Sequence, residues 1–170
     1  MLKKLIFAII IAVLVGGGVY YLTIWKQPIP EENNLPNGDS FRAEGYSGRV
    51  LAGKSSPLLD FNKSDYDTAL KSGKPILLYF YANWCPLCVA ETKDALYPAF
   101  NEISHDKIIG FRVNYKDNQT DDDEKNLARE FGVAYQHTKV ILKNGQRGLK
   151  APDSWDKNRY LNEINKALSQ

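Results

Sequence analysis

The 170-residue sequence predicts an α/β sandwich around a mixed sheet, preceded by one membrane-spanning helix. Three observations lead there. From about residue 55 onward, apolar runs of strand length alternate with helix-patterned segments. Near the end, "TKVILK" and "QRGLK" flank an Asn-Gly turn, the strongest short hairpin signal. At the start, "LIFAIIIAVLVGGGVYYLTIW" (5–25) carries no charge. Its 21 residues make a helix of roughly 31 Å at about 1.5 Å per residue, matching a hydrocarbon core of about 30 Å.

We read residues 1–25 as a retained anchor that places residues 5–25 in the lipid bilayer. A cleaved signal peptide is the alternative, with cleavage near Gly16–Gly18 left open. The apolar stretch exceeds the roughly 7–15 residues of a signal core, and no A-x-A-like site follows it. Lys3 and Lys4 precede the span, whereas Lys26 is soon followed by Glu31 and Glu32. That bias puts the N-terminus in the cytoplasm and the remainder outside, a single-pass membrane protein. Residues 26–54, rich in Pro, Asn and Gly, form the expected stalk, and 55–170 the folded domain. Without Lys3 and Lys4, the 22 basic residues become 20 against 20 acidic ones. That neutrality gives no support for a nucleic-acid partner.

The elements follow in order. "RVLAG" reads as a short strand of unassigned pairing, and "PLLDF" as another. Asp65 to Ser72 is an expected helix, with Ser64 as N-cap and Gly73 as its stop. "PILLYFYA" is apolar throughout, as a central strand buried on both faces must be. A helix begins around Cys85 and is kinked or ended by Pro98; "KIIGFRVNY" is the next strand. Thr120, paired with Asp123 in a capping box, starts a helix that runs to Phe131 and stops at Gly132. The neighbouring "TDDDE" lacks the glycine of a calcium loop and suits a helix N-terminus instead. After the hairpin, Trp155 to Leu168 is amphipathic, with Trp155, Tyr160, Leu161, Ile164 and Leu168 on or near one face.

The only two cysteines, Cys85 and Cys88, lie in "YANWCPLC". A strand that ends just before C-x-x-C, with a helix starting at the first Cys, aims amide N–H groups and a helix dipole at Cys85. Both favour its thiolate, the attacking species. Cys88, one turn later, is placed to resolve a mixed disulfide. Pro86 fits the first turn, where its missing N–H costs nothing, and Trp84 shields the pair on one side. Metal binding is the second reading, but Cys85 and Cys88 would need His105 and His137, both from distant segments, to complete a four-ligand site. A structural disulfide is the third, and a bridge closing so small a loop constrains the unfolded chain little. Two inert thiols leave the spacing unexplained.

These residues carry a resemblance. Residues 58–168 resemble the thioredoxin family, with "KPILLYFYANWCPLC" similar to its strand and active-site segment. Within that family, "FRVNYKDNQTDDDEKNLAREFGV" is most similar to the C-terminal domain of DsbD-type thiol:disulfide interchange proteins. The resemblance implies a thioredoxin-like three-layer sandwich and a thiol–disulfide oxidoreductase whose catalytic residues are Cys85 and Cys88. It implies no cofactor beyond that redox-active pair. Exported protein thiols and disulfides are the implied substrates, with a membrane or extracytoplasmic redox partner and a lean toward reduction.

Two departures from the family stand out. Where it usually carries a cis-proline before Thr138, this chain has His137. That register implies that His137 faces Cys85 from the wall of a substrate groove. Trp84, Pro86, Leu87, Gln136 and Thr138 support the groove, and Tyr81 and Tyr135 are further lining candidates. An imidazole there stabilises a thiolate, relays a proton or completes a Cys85–Cys88–His137 triad for copper or zinc. A strand-end histidine bonded to backbone is the plain alternative. Second, the family's buried aspartate six residues before the first Cys is Tyr79 here. Glu91 is a candidate to relay the proton instead, although its position reads more readily as a solvated helix surface. Beside the exchange enzyme stand two other classes: a metal-binding module using Cys85, Cys88 and His137, and a non-catalytic binding scaffold.

Overall fold

The computed structural model describes residues 43–169. The anchor (1–25) and residues 26–42 of the expected stalk lie outside the described residues. Among the described residues, no helix is long and apolar enough to cross a membrane.

Among the described residues, six strands form one sheet: β1 (Val50–Ala52), β2 (Leu58–Asp60), β3 (Ile76–Tyr81), β4 (Ile109–Asn114), β5 (Thr138–Lys143) and β6 (Gln146–Ala151). Their spatial order is β1-β2-β4-β3-β5-β6. Strands β2, β4 and β3 are parallel, while β1, β5 and β6 each run antiparallel to their inner neighbour. The helices are α1 (Lys63–Ser72), α2 (Pro86–Glu91), α3 (Tyr97–Glu102), α4 (Asp122–Glu130) and α5 (Lys157–Ser169). The mixed sheet, expected from strand–helix alternation followed by a hairpin, is thus present. The unassigned strand "RVLAG" becomes the edge partner of β2.

Strand β3 explains its own composition. Leu77, Tyr79 and Tyr81 join the apolar layer that holds both cysteines, Phe100 and Tyr160. Ile76, Leu78 and Phe80 join the opposite layer with Tyr66, Phe111, Leu127 and Phe131. Alternate side chains face opposite sides of a sheet, so helices on both sides demand an unbroken apolar run. Gly110 on β4 lets α3 approach closely, since a Cβ there would stand 2.6 Å from Leu58 Cδ1 and would also strike the Phe100 ring.

The helix ends depart from expectation in detail. Helix α1 starts two residues earlier than expected and is capped by Asn62, whose Oδ1 accepts the Asp65 N–H at 2.9 Å; Ser64 lies inside the helix. Its stop is as expected, with Gly73 at φ 71°. The capping box of α4 is Asp121 with Glu124, one residue beyond the expected Thr120 and Asp123. Glutamate wins because its longer side chain reaches two amides, Asp121 N–H at 3.0 Å and Asn114 N–H at 2.7 Å. Thr120 bonds to Asp117 instead. Pro98 does not end its helix. Thr92–Leu96 forms a π-helical turn closed by Tyr97 N–H on Thr92 O, and α3 continues through the proline to Glu102. That wider turn absorbs the irregularity. Helix α5 begins at Lys157, two residues after Trp155.

Candidate active site

The end of β3 and the start of α2 position the cysteines. Cys85 N–H donates to Ala82 O at 3.1 Å, which turns the chain out of the strand. Cys85 then takes the N-cap position of α2, its carbonyl accepting the Val89 N–H at 3.0 Å and its Sγ accepting the Cys88 N–H at 3.4 Å. An N-cap side chain that receives a helix amide satisfies one of the unpaired donors of the first turn. Pro86 occupies the first turn, as expected.

The two sulfurs, both free thiols, are unequal. Cys85 keeps 6% of its surface in contact with solvent, and Cys88 keeps none. Next to Cys85 in the chain, Trp84 is 59% exposed and Leu87 62%; Tyr135, ahead of β5, is likewise exposed. Trp84 is pinned by its indole N–H on Lys116 O at 2.8 Å. Gln136 is half-buried, and Thr138 is buried with its hydroxyl on Tyr135 O at 3.0 Å. Tyr81 is buried beneath Arg112, whose guanidinium lies 4.8 Å from the ring centre, so it belongs to the core more than to a groove.

Behind Cys88 lies a cluster of polar groups that the apolar patterning hides. Tyr79 on β3 and Lys139 on β5 are direct cross-strand partners in the layer facing α2. Lys139 is fully buried, and its Nζ lies 2.6 Å from Glu91 Oε1 and 2.6 Å from Asp153 O. Glu91 Oε1 also accepts the Tyr160 hydroxyl at 2.6 Å, while Oε2 accepts the Trp155 N–H at 3.1 Å. Glu91 is therefore a buried, fully engaged carboxylate, and the solvated-surface reading is corrected. The reason is geometric: one turn beyond Cys88, the same helix face that buries the thiol points Glu91 at β5.

His137 joins this cluster. Its Nε2 lies 3.2 Å from Glu91 Oε2 and 2.9 Å from Ser154 Oγ, and its Nδ1 lies 3.2 Å from the Tyr79 hydroxyl. The ring is bonded to side chains, so the backbone-bonded alternative does not hold. Its peptide is trans with φ 68°, a left-handed backbone fixed by its N–H on Phe80 O at 2.6 Å. Among the described residues, no group of three His, Cys, Asp or Glu side chains can hold a metal ion, so the Cys85–Cys88–His137 triad does not form.

Burial pushes the Cys88 thiol up, and its hydrogen bond with Cys85 pushes in the same direction. Tyr79 is raised by burial and by the neighbouring Cys88 and Glu91. His137 is held below the usual imidazole range by burial and by Lys139, against the pull of Glu91 and Asp153. Burial lowers Lys139 despite Glu91. Of this cluster, sequence reasoning found Tyr79, Glu91 and His137 and missed Lys139, Tyr160 and Ser154. The signal for Lys139 was a cation set directly before the apolar "VIL" of the strand "TKVILK".

The cysteine pair at this strand–helix junction lies within a segment that matches a known family model. The model described as thioredoxin matches residues 57–170. The chain belongs to the thioredoxin family. A thiol:disulfide interchange protein DsbE from Vibrio cholerae is 33% identical over 124 residues, covering 68% of this chain and 56% of that protein. The chain thus spans little more than half the length of that relative. A thioredoxin from Haemophilus influenzae is 32% identical over 116 residues, covering 66% of this chain and 99% of that protein. Among solved structures, one titled DsbH oxidoreductase shares the fold with TM-score 0.54 at 15% identity, covering 76% of this chain and 95% of that one. The family and these relatives support a thiol–disulfide oxidoreductase, a class that ordinarily needs no cofactor.

Proposed function

We propose that this thioredoxin-family chain exchanges disulfides with exported proteins while held to a membrane by residues 5–25, its folded domain outside the cytoplasm. Cys85 attacks a substrate disulfide and Cys88 resolves the mixed disulfide, so that two electrons pass from the dithiol to the substrate. The observation that carries the reading is the inequality of the sulfurs. Cys85 is partly reachable at a helix N-cap, and Cys88 is sealed within hydrogen-bonding range of it. Only the first can meet an outside disulfide, and only the second stays in reach afterwards. Exposed Trp84, Leu87 and Tyr135 supply an apolar rim for an unfolded or extended polypeptide. The uncharged span and its basic N-terminal flank support the membrane tether. The similarity to DsbD-type domains leans toward reduction.

Insulin reduction driven by dithiothreitol tests the reading. Wild type accelerates precipitation of the released chain, and Cys85→Ser abolishes the acceleration. Undiminished turnover in Cys85→Ser overturns it.

A further inference from the structure

Resting on the exchange reading above, we propose that a cleft beside α2 selects substrate polypeptides with a lysine or arginine close to the disulfide that Cys85 attacks. The cleft holds about 400 Å³ and opens between α2 and the loop that leads from β6 to α5. Leu87 and Ala90 line it from α2, Asp94 and Ala95 from the π-helical turn that follows, and Trp155 and Asp156 from the loop. The lining begins at Leu87, next but one to Cys85, so a chain whose disulfide meets that sulfur passes within reach of it.

The composition of the cleft fits a long apolar stem that ends in a cation. Trp155 and Ala95 are buried, and Leu87 and Ala90 are exposed beside them, so the lining is largely apolar. Lysine and arginine lay their methylene stems along such surface while the charged head stays in water. The carboxylates of Asp94 and Asp156 are on exposed residues of the same lining. Asp156 spends Oδ1 on the Arg159 backbone N–H at 2.7 Å, which caps α5.

No cation of this chain is paired with either carboxylate among the described residues. On α5, Lys157 is held by Glu102 at 2.7 Å and Arg159 by Glu163 at 2.8 Å. Glu91, which also borders the cleft, is taken up by Lys139. The charge that complements Asp94 and Asp156 therefore comes with the substrate. From Cys85 to Asp94 is roughly 13 Å along the helix at about 1.5 Å per residue. Extended chain covers that in about four residues at about 3.3 Å each, and the stem of the basic side chain shortens the count. The selected residue lies about two to four positions from the attacked cysteine.

Peptides with one internal disulfide and a lysine, norleucine or glutamate about three residues from either cysteine test this. The full chain, reduced beforehand, is mixed with each peptide and quenched in acid, and the peptide thiols are measured by mass spectrometry. Rates with dithiothreitol alone correct for the intrinsic reactivity of each disulfide. Wild type is expected to reduce the lysine peptide about threefold to tenfold faster than the norleucine one, as one or two exposed ion pairs provide, and the glutamate peptide slowest. Salt at about 1 M erases the preference. Asp94→Asn combined with Asp156→Ser, whose serine still caps α5, brings it below about twofold. The ratio is taken within each protein, so a general loss of activity cancels. A wild-type preference below about twofold, or one unchanged by salt or by the double variant, overturns the proposal. Should the variant fail to fold, the wild-type series and its salt dependence decide alone. Reduction of none of the peptides refutes the exchange reading itself, whereas equal reduction of all three refutes only the selective cleft.

Discussion

Replacing Lys139 by methionine keeps the long stem and deletes the charge beneath the active site. The lysine has no solvent exposure and holds Glu91 at 2.6 Å. Removing one member of a buried pair costs about 3–5 kcal/mol, chiefly because the other charge is stranded. Here the stranded carboxylate keeps the Tyr160 hydroxyl and the Trp155 N–H. It also has His137 Nε2 at 3.2 Å, a ring freed to protonate once Lys139 is gone. The expected loss at pH 7 is therefore at the lower end, about 3 kcal/mol. Urea titration reads it as a midpoint lowered by about 1 M or more, given slopes of about 1–3 kcal/mol/M. Two further results belong to the same reasoning. The deficit narrows as pH falls toward 5, because His137 takes over as the cation. The double variant Glu91→Gln with Lys139→Met is more stable than Lys139→Met by about 1–2 kcal/mol, since glutamine carries no charge and still accepts one of the two donors. A single-variant loss below about 1 kcal/mol, or a double variant costing the sum of its parts, refutes the picture of a stranded charge.

Three other outcomes are expected. Asp65 accepts both N–H groups of Ser47 and Gly48, the Ser47 hydroxyl and the Asn62 amide, and these bonds outweigh burial to hold its carboxyl below the usual range. Asp65→Ala should cost roughly 1–3 kcal/mol and speed amide exchange at Ser47 and Gly48; in wild type this contribution is complete above about pH 3.9 and lost as pH falls through the lower folded value. Because His137 is lowered, its contribution is complete above the unfolded value of about 6.5 and lost as pH falls below it. Urea midpoints of wild type should therefore decline between pH 7 and pH 5, and a flat profile matched by His137→Asn contradicts this. Gly110→Ala should destabilise by about 1–3 kcal/mol through its collision with Leu58 and Phe100, read by thermal unfolding, and an unchanged midpoint contradicts it.

What the sequence made legible divides along physical lines. The strand "PILLYFYA", the thiol pair at a helix start and the Asn-Gly hairpin each depend on local composition, and all three stand in the structure. The hairpin turn even takes the left-handed values its residues favour, φ 51° at Asn144 and 74° at Gly145. Cap positions slipped by one or two residues because neighbouring Asn, Ser, Thr and Asp residues all satisfy the same spacing rule, and only geometry chooses among them. The buried cluster was the larger gap. Glu91 reads as surface by residue type alone, and its burial depends on Lys139, Tyr160 and the Trp155 amide arriving from elements 48 to 69 positions away. Strand β5 is covered on both faces, so alternation along it carries no signal that Lys139 points inward.

The most direct measurement is to trap the mixed disulfide. Cys88→Ser is incubated with an oxidised protein substrate, quenched in acid and analysed by non-reducing mass spectrometry with peptide mapping. A covalent adduct on Cys85 that accumulates in Cys88→Ser and is absent from Cys85→Ser is the predicted result. No adduct in either variant, or an adduct carried by Cys88 in Cys85→Ser at an equal rate, contradicts the assignment of Cys85 as attacker and Cys88 as resolver.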